Sequence, residues 1–409
     1  MITSNLGPAE LDSAVRRNSF VLTAATAFGG SMMPIAVAFG GLAGGYLLGP
    51  DKSLATVPVT ALTVGSALAT IPAAMLMARV GRRVGLMLGA VPAIFGGLLA
   101  AFAIHAGTFW LLAFACLFIG ISAAFNQQYR FAAVDAGGEK ARTRALALVM
   151  GGGVLSAVLG PQAAIATRDL FAPIPFAGAY VAIAVFAVLA ALAVSRFRDV
   201  VKPHPAGSTH DRGRPLAVIA RQPRFLAAVL CGIASYAMMT LVMTAAPIAM
   251  IGCGLTQSDA ALGIQWHVIA MFAPSFITGR LINRFGKDRV VIAGMALLAA
   301  CAIVSIAGLT VWHFWGALVL LGLGWNFGFI GATSMLTETY RPEEKGRVQG
   351  FNDFLVFAVS ACASLVAGLL IGGPGWGFIN GIVFPVTGLA LVALALAALS
   401  ARSFPLRAP

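Results

Sequence analysis

Twelve apolar runs follow one another along this chain, near residues 20–48, 56–77, 84–104, 109–134, 145–167, 174–195, 225–251, 260–282, 290–309, 312–336, 348–372 and 377–400. A hydrocarbon core of roughly 30 Å takes about 20 apolar residues as a helix. In lipid only helices and closed barrels satisfy their own backbone. The expected fold class is therefore an all-α integral membrane protein with twelve transmembrane helices. Composition agrees, with 59% hydrophobic and 10% charged residues among 409, where soluble domains are about half apolar and about a quarter charged. A soluble enzyme, a nucleic-acid binder and a single-span receptor are excluded. Residues 1–19 contain Glu10, Asp12, Arg16 and Arg17 but no apolar run, so no cleavable leader is expected.

The charges fix the expected orientation. Lys and Arg number 27 against 14 Asp and Glu, a net of +13. With the N-terminus cytoplasmic, the basic residues gather in the inner loops near 80, 140, 200–224, 285 and 343, and only Lys52 and Arg168 fall outside. The positive-inside rule then places both termini in the cytoplasm. Residues 196–224 are the one long hydrophilic segment, with Pro203, Pro205, Pro215 and Pro223. They read as a cytoplasmic linker between a bundle over 1–195 and another over 225–409. His204 and His210 in the linker read as solvated residues and not a metal site.

The second half repeats the first. After the second run the chain reads Leu76-Met77-Ala78-Arg79-Val80-Gly81-Arg82-Arg83, and after the eighth it reads Leu281-Ile282-Asn283-Arg284-Phe285-Gly286-Lys287. Arg79 and Arg284 are 205 residues apart, and so are the Glu139-Lys140-Ala141-Arg142 and Glu344-Lys345-Gly346-Arg347 loops. One offset shared by two unlike loops indicates a duplicated six-helix unit. Pro34-Ile35-Ala36 and Pro247-Ile248-Ala249 on the first helix of each half add support.

On these features the chain resembles the major facilitator superfamily over nearly its whole length. The family's loop motif, G-x-L-x-D-R-x-G-R-[RK], reads here Ala74-x-Leu76-x-Ala78-Arg79-x-Gly81-Arg82-Arg83. Its second copy reads Gly279-x-Leu281-x-Asn283-Arg284-x-Gly286-Lys287. The Arg-x-Gly-basic core survives in both copies, while the first lacks the Gly and the Asp. The resemblance implies two pseudo-symmetric six-helix bundles and a loop that locks the halves facing outward. Arg79, Arg82, Arg284 and Arg347 are the gating candidates, with Asp135 and Glu338 at nearby helix ends as their partners. The alternative is that these arginines only set topology. Helix 5 carries Gly151-Gly152-Gly153 and Ser156-x-x-x-Gly160-Pro161, which resembles part of the helix 5 motif of proton-coupled drug antiporters. Close helix packing explains these small residues at least as well.

Ionisable groups inside membrane helices are candidates for function. Arg130 lies within Asn126-Gln127-Gln128-Tyr129-Arg130; it can hold a solute with paired donors, pair with Asp135 or Asp353, or reach the inner surface. His267, in Gln265-Trp266-His267, and Asp353, beside Asn352, are the proton-coupling candidates; Asp353 also reads as an inner-gate partner of Arg284. In the two-fold arrangement the solute cavity is expected to be lined by Asn126, Gln127, Arg130, Tyr236, Met239, Gln265, Trp266, Trp325 and Asn326. Rings and amides together suit an organic, ring-containing solute.

Cys116, Cys231, Cys253, Cys301 and Cys362 are scattered, with no paired spacing for a disulfide or zinc. No HExxH, GxSxG or nucleotide fingerprint occurs, so neither enzyme chemistry nor a cofactor is expected. The leading expectation is a monomeric secondary transporter of a small organic solute in the bacterial inner membrane. It works by alternating access, coupled to protons, with export slightly ahead of import on the helix 5 run alone. A facilitative uniporter and a non-transporting sensor of the same fold are the alternatives.

Overall fold

The computed structural model describes residues 8–50, 52–134, 139–199 and 213–403, and no strand occurs among the described residues. Eleven helices are long and apolar enough to cross a membrane, and a pair bent by 43° makes a twelfth span. The first six spans are α1 (Ser13–Leu48), α2 (Val57–Val80), α3 (Arg82–His105), α4 (Phe109–Ala133), α5 (Arg144–Thr167) and α6 (Ala177–Val194). The next six are α7 (Pro223–Gly252), α8 (Gln257–Phe272 with Ser275–Phe285), α9 (Lys287–Ala307), α10 (Val311–Leu336), α11 (Lys345–Gly372) and α12 (Gly375–Ser400). Each covers one of the apolar runs. Large apolar side chains such as Leu68, Ile71, Trp312 and Leu396 stand exposed on the outer surface, an arrangement that suits lipid and not water.

The packing repeats with the sequence. Helix α1 packs on α4, α5 and α6, α2 on α4, and α3 on α4 and α6. Adding six to every label gives the contacts of the second group: α7 on α10, α11 and α12, α8 on α10, and α9 on α10 and α12. The two groups meet along α2–α11 and α5–α8, which are again related by six, and along α1–α7. Small residues allow the tightest approaches. A Cβ added at Gly160 would sit 2.6 Å from the Ser31 carbonyl oxygen, and one at Gly152 would sit 2.5 Å from that of Thr23. Gly152 and Gly160 therefore hold α5 against α1.

The loop motif repeats in conformation as well. Gly81 has φ 87° and ψ 162°, and Gly286 has φ 88° and ψ 156°. Only glycine occupies that region without strain. The Gly81 N–H donates to the Met77 carbonyl and that of Gly286 to the Ile282 carbonyl, so each glycine closes one helix and opens the next.

The described chain on either side of 200–212 is anchored to the group it borders. On one side, Asn18 Nδ2 donates to the Arg198 carbonyl at 2.8 Å, and Arg198 N donates back to Asn18 Oδ1 at 3.0 Å. Next to it, Arg83 N donates to Asp199 Oδ1 at 3.2 Å. On the other side, Arg214 N and Nε donate to Glu344 Oε1 at 2.7 and 2.9 Å, and Arg214 Nη2 donates to Oε2 at 2.8 Å. Arg341 N adds a fourth bond to Glu344 at 2.9 Å, and that carboxylate is fully buried. The Arg214 hydrogen bonds, against the opposing effect of burial, hold the Glu344 carboxyl well below its ordinary range.

Candidate solute-binding cavity

A cavity of about 320 Å³ opens between the two groups of helices. Its two walls differ in chemistry because the helices facing each other differ in sequence. On the side of the first group, α4 contributes Asn126, Gln127 and Arg130, and α2 contributes Thr63 and Ser66. Asn126 is partly committed, since its Nδ2 donates to the Gly29 carbonyl at 2.9 Å. The opposite side carries Tyr236 and Met239 from α7, Trp325 and Phe329 from α10, and Asp353 and Phe357 from α11.

That second wall is a packed set of rings. Trp325 and Phe329 stack at 5.4 Å with planes 18° apart. Tyr236 meets Trp325, Phe329 and Phe357 edge-on at 5.7, 5.2 and 5.4 Å. Such edge-to-face and offset arrangements are the favoured ones for aromatic pairs. They fix the rings before any solute arrives.

Arg130 and Asp353 are the only Lys, Arg, Asp or Glu side chains among the residues lining the cavity. Arg130, Asp353 and the Tyr236 phenol lie within one another's electrostatic reach. Asp353 accepts a hydrogen bond from Asn352 at 3.1 Å, while the Arg130 guanidinium lies 4.8 Å over the Phe131 ring. The two charges thus face the same space from different helix groups.

Of the nine residues expected to line the cavity, the structure brings Asn126, Gln127, Arg130, Tyr236, Met239 and Trp325 to it. It does not bring Gln265, Trp266 or Asn326. Gln265 accepts from Gln162 Nε2 at 2.8 Å across the α5–α8 contact. Trp266 points outward and is 44% exposed on the apolar surface. Asn326 is buried and repairs the break in α8: its Nδ2 donates to the Met271 carbonyl and to Ser275 Oγ, and its Oδ1 accepts from Thr278 Oγ1 at 2.6 Å. Pro274 lies in that break and supplies no N–H, so the bend leaves carbonyls for a neighbouring amide to satisfy.

Of the two proton-coupling candidates, only Asp353 lines the cavity. The His267 ring is fully buried with Nδ1 2.8 Å from the Leu318 carbonyl oxygen, which is the placing of a packing residue.

Among the gating candidates, Glu338 bridges Lys287 and Arg224, each at 2.8 Å, and Arg224 also reaches Asp288 at 2.7 Å. Burial pushes the Glu338 carboxyl up, but its hydrogen bonds from Lys287 and Arg224 outweigh this and leave it below its ordinary range. Arg284 lies over the Phe285 ring, Arg82 reaches towards Met77 Sδ, and Arg347 donates to the Arg214 carbonyl. Arg79 is exposed, and Asp135 lies outside the described residues.

Phe329 and Phe357 also line the cavity, although the sequence reading does not single them out. Their signal was present: each follows a polar or aromatic lining residue, Trp325 or Asp353, by four positions, and residues four apart share a helix face.

Hydrogen bonds join the two groups at the end remote from the linker. Thr60 Oγ1 donates to Ser364 Oγ at 3.1 Å, and Arg168 Nη1 donates to Ser258 Oγ at 3.2 Å; Gln162 and Gln265 lie further along the same α5–α8 seam. The contacts described at the linker end, Asp199 with Arg83, Arg214 with Glu344, and Glu338 with Lys287, stay within one group.

Comparison with known proteins gives four findings. The family model described as Major Facilitator Superfamily matches residues 20–275 and 228–409. The riboflavin transporter RfnT of Brucella anthropi is 48% identical over 94% of this chain and 96% of its own length. YdeG of Bacillus subtilis, an MFS-type transporter, is 28% identical over 90% of this chain and 89% of its own. Among solved structures, the human organic anion transporter MFSD10 aligns with a TM-score of 0.67 at 15% identity, covering 93% of this chain and 99% of that one. That likeness is one of fold.

Proposed function

This chain belongs to the major facilitator superfamily and is a multi-pass membrane transporter, not an enzyme; from that premise we propose that the solute it carries is riboflavin. The observation that carries the proposal is 48% identity to the Brucella anthropi riboflavin transporter along 94% of the chain. The cavity supports it chemically. The isoalloxazine ring is planar, apolar on its faces and hydrogen-bonding along one edge. It suits the Trp325, Phe329 and Tyr236 wall, and the amides and hydroxyls of Asn126, Gln127, Thr63 and Ser66 suit its edge and its polyhydroxyl chain.

In this reading the groups formed by α1–α6 and α7–α12 rock about the cavity to give alternating access. The basic loops support a linker end on the cytoplasmic side of the inner membrane. The polar seams at the opposite end then make this conformer closed to the outside and open inward. The loop arginines and Glu338 act on the inner gate. Asp353, facing the cavity, is the point at which a proton couples to transport. Gly152 and Gly160 of α5 are explained by packing on α1 and carry no argument for export, so direction is read from transport itself.

The test is counterflow in proteoliposomes loaded with unlabelled riboflavin. Labelled riboflavin accumulates inside and excess unlabelled flavin abolishes the accumulation. Absence of both counterflow and saturable binding overturns the substrate. An imposed pH gradient accelerates flux in the native protein and not in Asp353→Asn; a native flux indifferent to the gradient makes the protein a facilitative uniporter.

A further inference from the structure

We propose that the cavity admits an uncharged planar solute and turns away the phosphate ester of that same solute, with Asp353 as the residue that sets the selectivity. This rests on the flavin reading above and adds what that reading leaves out, the charge the site tolerates. Arg130 and Asp353 contribute opposite charges to the cavity lining, and the other groups offered to a solute are neutral amides, hydroxyls, thioethers and rings. The pair therefore cancels. A phosphate monoester brings about −1.5 to −2 charges at neutral pH. A site that holds one tightly supplies several cations or a cluster of backbone N–H groups, whereas this cavity supplies one guanidinium already balanced across the space by a carboxylate.

The position of Asp353 makes the exclusion effective. A phosphate that approaches Arg130 enters the field of Asp353, because the two side chains line the same cavity of about 320 Å³ from opposite walls. Like-charge opposition of this kind discriminates between solutes without improving contacts to the favoured one. An uncharged flavin meets no such opposition and keeps the whole ring wall. Removing the Asp353 charge leaves Arg130 unbalanced, so the site becomes cationic and its preference shifts towards the ester. Removing the Arg130 charge has the opposite sign.

The experiment is a fluorescence titration of the purified full-length protein with riboflavin and with riboflavin 5′-phosphate, since stacking on the rings quenches the flavin. The quantity read is the ratio of the two affinities. In the native protein riboflavin binds more tightly, and in Asp353→Asn the ratio falls about tenfold, the scale of one unit charge removed from beside a doubly charged group in a partly dry cavity. Asp353→Glu keeps the native ratio, and Arg130→Gln widens it. An unchanged ratio in Asp353→Asn overturns this inference while leaving riboflavin as the solute. Should Asp353→Asn not survive purification, Arg130→Gln decides alone: a ratio that fails to widen overturns the inference. Saturable binding of neither flavin by the native protein overturns the inference and the substrate reading together.

Discussion

The turns after α2 and after α8 share a backbone and differ in charge. Gly81 and Gly286 agree in φ to within a degree or so, at 87° and 88°. Around them the second turn has a network, in which Lys287 and Arg224 hold Glu338 and Arg224 also holds Asp288. The first turn has Arg82 and Arg83 where the second has Lys287 and Asp288, and Ala133 where the second has Glu338. Its described acidic contact is Asp199, brought from the far end of α6 to the Arg83 N–H. The two turns share what the backbone demands, a glycine in a region closed to other residues. The charges, which no local geometry demands, differ.

The same contrast holds for the segments beside 200–212, and it gives the largest expected effect. Glu344 is buried and takes four hydrogen bonds from Arg214 and Arg341, whereas Asp199 is exposed. Glu344→Ala should lower the melting temperature by several degrees, because it leaves Arg214 without its carboxylate and frees the start of the 213–222 segment. The effect has a pH signature. A carboxyl held below its ordinary value of 4.5 stabilises fully above that value and loses its contribution as pH falls through the folded value. The melting-temperature gap between the native protein and Glu344→Gln should therefore be constant from pH 7 down to about 5 and shrink below that. A gap independent of pH removes ionisation from the account.

Next in size come the two glycines. Gly81→Ala and Gly286→Ala should each cost of order 1–3 kcal/mol, the range for a non-glycine residue forced into such a conformation. They should not cost the same. A Cβ at Gly286 meets nothing within 4 Å, while one at Gly81 lies 3.1 Å from Asp199 Oδ2. Thermal or denaturant unfolding of both variants reads the difference. Equal losses would mean that Asp199 moves aside freely and that the two turns are equivalent after all.

The twelve spans were legible because the bilayer demands a length of apolar helix that any linear reading detects. The repeat was legible because its loops kept one offset of 205, and the Gly81 and Gly286 turns follow from it. Which face of each span meets the cavity was legible only in part. Lipid and protein interior are both apolar, so a spanning helix carries a weaker polar stripe than a soluble one. Trp266 and His267 look like functional residues in the linear chain, yet one lies on the apolar surface and the other in a packed core. Gln265 and Asn326 are polar for reasons that lie on other helices, the Gln162 amide and the break at Pro274. Arg130 and Asp353 could be found because a charge in a membrane helix needs a reason wherever it sits.

The smallest expected effect tests whether the charge around the first turn matters in its own right. Asp199→Asn keeps the shape and an acceptor oxygen for the Arg83 N–H, and removes only the negative charge at the start of α3. An exposed charge at a helix N-terminus is worth about 0.3–1 kcal/mol at low ionic strength. The loss should therefore be small, and it should vanish in about 1 M salt, where screening acts over roughly 3 Å. Glu338→Gln, at the matching region of the second turn, should lose more under the same conditions because Glu338 is held at 2.8 Å by two cations at once. Melting curves of both variants at low and high salt separate the cases. A loss in Asp199→Asn that persists at high salt would show that Asp199 acts through hydrogen-bond geometry. The first turn would then be anchored as specifically as the second, and the divergence between the two halves would be one of residues and not of design.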